Sequence, residues 1–112
     1  MAKVVITKIL EDEINRKFKG QAVDIFELIY SLKENPHKGK EIGHVGAILI
    51  KELRYDSFRF YFITDGYKLK VLGDEELKDL LIKFVRMSDK KEQQKTINEI
   101  KEVLRRFGEE EL

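Results

Sequence analysis

The sequence predicts an α+β domain spanning residues 1–112 as a single unit, with an N-terminal helical hairpin packed on a small antiparallel sheet and a C-terminal helix. Three observations carry that expectation. The stretch from Ile48 to Leu72 consists of β-rich runs separated by the turn-forming pairs Asp56-Ser57 and Asp65-Gly66. Two amphipathic helical patterns precede it, and a longer one follows between Asp89 and Gly108.

A chain of 112 residues can bury one core without staples. It has no cysteine, which excludes a disulfide framework, a thiolate metal site and a thiol nucleophile. The opening MAKVVITKIL lacks the apolar segment of a signal peptide, and no run approaches the roughly 18 apolar residues of a membrane span. A soluble, cytoplasmic protein is expected. Charged residues are 38% of the chain, a balance common in heat-adapted proteins with surface ion-pair networks, so thermostability is expected as well. The net charge of +1 is unevenly spread. Residues 37 to 91 hold twelve Lys/Arg against nine Asp/Glu, whereas residues 92 to 112 hold four against six. Any nucleic-acid role must therefore rest on local clustering of positive charge.

Taken in order, Lys3 to Thr7 is a short β-rich run. Ile9, Leu10, Ile14 and Phe18 then recur at helical spacing, with Gly20 placed to end the helix. Ala22, Ile25, Phe26, Ile29 and Leu32 form a second apolar stripe, which Asn35-Pro36 stops. The linker PHKGKEIGHVG is glycine-spaced and basic at Lys38 and Lys40; it reads as a mobile loop that enters the sheet near Ala47.

Asp65-Gly66 has the composition of a type I′ turn. A two-residue loop there sets Thr64 opposite Tyr67, Ile63 opposite Lys68, Phe62 opposite Leu69, Tyr61 opposite Lys70 and Phe60 opposite Val71. Phe58, Phe60, Phe62, Leu69 and Val71 then share an apolar face that the helical hairpin can cover. Arg59, Tyr61, Ile63, Lys68 and Lys70 share the other, and a turn at Asp56-Ser57 adds Arg54 to it, opposite Arg59. The same register puts Lys51 opposite Phe62, on the core side. Beyond Gly73, GDEELKD reads as a polar insert with a helical turn, and Leu80 to Met87 as a buried strand, with a short helix as the alternative. Asp89 and Glu92 have capping-box spacing for a last helix with the stripe Ile97, Ile100, Leu104 and Phe107, ended by Gly108.

No phosphate-binding loop, nucleophile elbow, zinc-protease motif or dinucleotide fingerprint is present. His37 and His44 lie in the glycine-spaced linker and read as solvated or locally hydrogen-bonded, so neither a metal nor a cofactor is expected. What remains is the basic face. Arg54, Arg59, Lys68 and Lys70 can offer phosphate donors on a rigid sheet, with Tyr61 available to stack on a base. The plainer reading is the solvated side of an antiparallel sheet, which alternates polar and apolar as a rule. Lys90 and Lys91 are likewise ordinary solvated residues of a first helical turn.

The run Glu52 to Leu72, preceded by LKENPHKGKEIG and followed by FVRMSDKKEQQKTINEIKEVLRRF, resembles the RelE/ParE/HigB superfamily of toxin–antitoxin toxins. Leu32, Asn35, Pro36, Gly39 and Lys40 match its segment after the helical hairpin. Leu53, Arg54, Phe58, Arg59 and Tyr61 match its strand pair, with Phe58 where tyrosine is usual, and Lys90, Lys91 and the QQKT that follows match its HigB-like ending. The resemblance implies a type II toxin that cuts mRNA on the ribosome, with an antitoxin protein, the ribosome and mRNA as partners. Carried over, Arg59 and Arg54 would stabilise the phosphate, Lys51 would be a candidate for proton transfer and Arg86 a contributor from the next strand. Lys68, Lys70, Tyr61, Lys40, Lys38, Lys90 and Lys91 would hold RNA. The alternatives are a ParE-like inhibitor of a protein target such as gyrase, or a non-catalytic relic of the superfamily.

Overall fold

The computed structural model describes residues 1–112 as an α+β domain built on a five-stranded mixed sheet. The elements are β1 (Lys3–Ile6), α1 (Lys8–Phe18), α2 (Ala22–Tyr30), β2 (Lys40–Val45), β3 (Ile48–Tyr55), β4 (Phe58–Asp65), α3 (Gly66–Val71), β5 (Leu81–Asp89) and α4 (Gln93–Phe107). The strand order is β1-β5-β4-β3-β2. All neighbours are antiparallel except β1, which runs parallel to β5 with Lys3 beside Leu81 and Ile6 beside Phe84. The sheet is thus mixed and not purely antiparallel as the sequence suggested. No helix is long and apolar enough to cross a membrane.

The turn at Asp56-Ser57 forms as expected, with Asp56 at φ 53°, and it sets Arg54 opposite Arg59 and Lys51 opposite Phe62. The turn at Asp65-Gly66 does not. Asp65 is extended, and its side chain accepts the Lys68 backbone N–H at 3.0 Å, capping the short helix α3. Asp-Gly serves a helix start as well as a hairpin, and the cap wins because α3 can then bury Leu69 in the core. Gly66 donates its N–H to the Ala47 carbonyl at 2.8 Å and lies against that loop, where an added Cβ would meet Ala47 O and Leu49 Cβ at 3.2 Å. Val71, expected in the core, is exposed. The strand that pairs with β4 on its other side is β5, after the polar turn Asp74–Asp79.

Two further departures are local. The linker is not a loop throughout: its residues 40 to 45 form the edge strand β2, which carries a bulge between Glu41 and Gly43. The helix α1 ends at Phe18, and Lys19, at φ 42°, caps it in place of Gly20.

Apolar alternation on β3, β4 and β5 feeds two cores, one on each face of the sheet. On the first face Leu53, Phe60, Phe62 and Phe84 pack with Leu10 and Ile14 of α1 and with Ala22, Ile25 and Ile29 of α2. Ile9, counted in the α1 stripe, points into solvent at 81% exposure. On the second face Ile50, Tyr61, Ile63 and Val85 pack with Ile97, Ile100 and Leu104 of α4. Phe107 lies outside this core and is exposed. The face expected to be basic and solvated is therefore covered. The amphipathic stripe of α4 needs an apolar partner, and the first face is already occupied by α1 and α2. Alternation sends consecutive Phe84 and Val85 to opposite cores, and a bulge in the β4–β5 pairing then shifts the parity, so that Met87 packs with Ile82 and Phe84 on the first face.

Candidate functional site

At the end of the sheet where β3 turns into β4 and β5 leads into α4, the covered face carries a polar cluster centred on Glu52. Strand alternation places Glu52 and Arg54 on the same face of β3, and cross-strand pairing brings Tyr61 beside Glu52 and Arg59 beside Arg54. The Glu52 side chain is wholly buried. Its Oε2 accepts from Arg54 Nε at 3.0 Å and lies 3.9 Å from Arg59 Nε, and its Oε1 accepts from Gln93 Nε2 at 3.2 Å. Gln93 opens α4, so the carboxylate ties the two guanidinium groups to the start of the covering helix.

The two arginines are not equivalent. Arg59 is turned inward, with its side chain 7% exposed; Nη1 donates to the Ser57 carbonyl at 3.4 Å, and Nε is buried without a hydrogen-bond partner. Arg54 has a side chain 54% exposed and commits only its Nε edge to Glu52. Its remaining N–H groups can offer a planar fork to a phosphate or carboxylate in solvent.

Tyr61 is fully buried and cannot stack on a base. Its hydroxyl is paired with Ser88 Oγ at 2.7 Å, and Ser88 in turn donates to the Asp89 carbonyl. Burial pushes the Tyr61 phenol above its ordinary range; the Ser88 hydrogen bond opposes this and the Glu52 charge adds to it. The phenol is neutral at physiological pH and is no proton acceptor.

Of the other expected site residues, Lys51 is on the opposite face, as its register required. Its Nζ donates to the His37 carbonyl at 3.0 Å and lies 5.8 Å from the Phe62 ring centre. Burial lowers the ammonium below its ordinary range against an opposing pull from Glu41. It holds the loop after Pro36 against the sheet and does not join Arg54 and Arg59. Arg86 pairs with Tyr61 across β4–β5 but turns its Nη1 onto the Val85 carbonyl at 2.9 Å, beside Lys95 and Glu99 of α4.

Lys90 and Lys91 are exposed and follow Asp89, which pairs with Phe58, so they share the sheet end with Arg54. Lys38 and Lys40 are exposed on the loop and on β2, where Lys40 pairs with Glu52. Lys68 and Lys70 are not on the sheet. They are exposed on α3, past the far end of β4, roughly 20 Å along the strand from Arg59 at about 3.3 Å per residue.

Sequence reasoning missed Glu52, Ser88 and Gln93. The register at Asp56-Ser57 already put Glu52 opposite Tyr61, and a carboxylate flanked by Ile50 and Arg54 on one strand face was the available signal. No cluster of three or more His, Cys, Asp or Glu side chains is arranged to hold a metal ion. Comparison of the chain with protein-family models, with curated proteins and with solved structures finds no match.

Proposed function

We propose that this chain is the toxin of a type II toxin–antitoxin system and acts as a ribosome-dependent mRNA endoribonuclease of the RelE/ParE/HigB kind. In this reading the α+β fold is the RelE/ParE-like form, with a helical hairpin on one face of the sheet and a C-terminal helix on the other. The observation that carries it is the half-exposed Arg54 guanidinium, anchored on Glu52 at the sheet end it shares with Lys90 and Lys91. Cleavage requires the ribose 2′-oxygen to attack its neighbouring phosphorus, losing its proton to a base, while the bond to the 5′-oxygen breaks and that oxygen gains a proton. Negative charge builds on the phosphate oxygens on the way. Arg54 is placed to meet that charge, and Lys90 and Lys91 to hold the adjoining backbone. Arg59 supports the site from within. The partners are an antitoxin protein, the ribosome and mRNA, in the cytoplasm.

Primer extension on mRNA from a purified translation reaction tests the reading. Added protein is expected to produce discrete cuts within translated codons only when ribosomes are engaged; intact mRNA would sink it. Burial of Arg59, Glu52 and Tyr61 beneath α4 favours a second reading, a ParE-like inhibitor of a protein target such as gyrase that cuts no RNA. Supercoiling inhibition with intact mRNA would select it, and inactivity in both assays would select a non-catalytic relic.

A further inference from the structure

We infer that Glu52 is a positioning residue that aims the Arg54 guanidinium at the scissile phosphate, an inference that rests on the ribonuclease reading. A half-exposed arginine on a strand near a turn ordinarily samples many rotamers, and fixing it for each encounter lowers the rate. Here the Nε edge is bound at 3.0 Å to an oxygen of a wholly buried carboxylate. That carboxylate is itself held from three sides, by Arg54, by Gln93 at 3.2 Å and by the Arg59 charge at 3.9 Å. Packed between strand and helix, it has no freedom to follow a wandering arginine. The fork formed by the Arg54 Nη groups is thereby left as the free, oriented edge. The buried Arg59 charge lets Glu52 bind Arg54 without removal of both charges from water unpaired.

A double-mutant cycle on mRNA cleavage by translating ribosomes tests this, with kcat and KM separated and thermal melts on each protein. Arg54→Ala is expected to lose about 10²- to 10³-fold in kcat, the scale for one preorganised donor to transition-state charge. Glu52→Gln, nearly isosteric but unable to hold the guanidinium by charge, is expected to lose at least about tenfold in kcat with KM little changed. Joined with Arg54→Ala, it should add nothing, because Glu52 acts through Arg54. Loss of the Glu52 charge beside buried Arg59 lowers the melt under either role, so the cycle decides: a merely structural role would add its loss in kcat to that of Arg54→Ala.

Full cleavage by Glu52→Gln, or a double variant showing the product of the two losses, overturns the inference while leaving the ribonuclease reading intact. Absence of cleavage by the wild type overturns the ribonuclease reading and the inference with it. Should Glu52→Gln fail to fold, Arg54→Lys carries the test. A single ammonium cannot present the planar fork, so a loss of about tenfold or more with an unchanged melt is expected, and wild-type kcat overturns the inference.

Discussion

Arg54 and Arg59 face each other across the β3–β4 pair, yet one side chain is 54% exposed and the other 7%. Two like charges at opposed positions on one face repel, and Glu52 between them relieves this. Removing the inner arginine leaves a buried carboxylate with less compensation and an empty space beneath α4. Arg59→Ala is expected to destabilise the fold by about 1 to 3 kcal/mol, and Arg54→Ala by less than about 1 kcal/mol. Urea titrations of the two variants measure both, and equal losses would show that the arginines share one environment.

Lys51 gives a pH test. Its folded pKa is lowered by burial from 10.5, so the unfolded chain binds the extra proton in the window between the lowered value and 10.5. Stability must rise with pH across that window, because deprotonation favours the state that holds the amine buried. Relative to Lys51→Met, which has no such proton, the wild type should gain stability as the pH is raised from 7 toward 10.5. Denaturation midpoints at several pH values check the sign, and a constant difference would place Lys51 in water.

Phe60 is fully buried in the first core, within reach of the Phe18 ring at 6.0 Å between centres. Phe60→Ala is expected to cost about 3 to 5 kcal/mol, the range for an aromatic truncated in a packed interior. A thermal melt unchanged within error would contradict its placement.

The cap on α3 predicts that Asp65→Ala loses about 0.5 to 2 kcal/mol while Asp65→Asn loses little, since both Asp and Asn can accept the Lys68 N–H. Amide exchange at Lys68 reads the same bond directly: it should quicken in Asp65→Ala alone, and an unaffected rate would deny the cap.

These contrasts show what the residues alone made legible. Phe58, Phe60 and Phe62 alternate with Arg59, Tyr61 and Ile63, which defines a strand and its two faces with no knowledge of the rest. Asp56-Ser57 has one short-range use between β-rich runs, so the register of β3 on β4 followed. Asp65-Gly66 has two, and the choice depended on whether Leu69 or a cross-strand pair better filled the core, which is a property of the packed state. The solvated appearance of Tyr61 and Arg59 failed for a related reason: Ile97, Ile100 and Leu104 announce an apolar helix face but not the sheet face it will cover. Glu52 could have been placed beside Tyr61 from the register, yet its burial could not, because that depends on Gln93, far along the chain, arriving at the same carboxylate.

The parallel pairing of β1 with β5 governs how the chain must assemble. Sitting at the sheet edge with β5 as its only strand neighbour, β1 has no ladder to join until Leu81 to Phe84 have been made, although it precedes every other strand in the sequence. The hairpin β3–β4 can close locally and early, at small entropic loss, whereas docking β1 closes a loop containing nearly everything else. A nascent chain halted before β5 would carry α1 and α2 with their apolar stripes facing an incomplete sheet. The Glu52 cluster would be incomplete in truncated products, since it also waits for Ser88 and Gln93, which emerge later still.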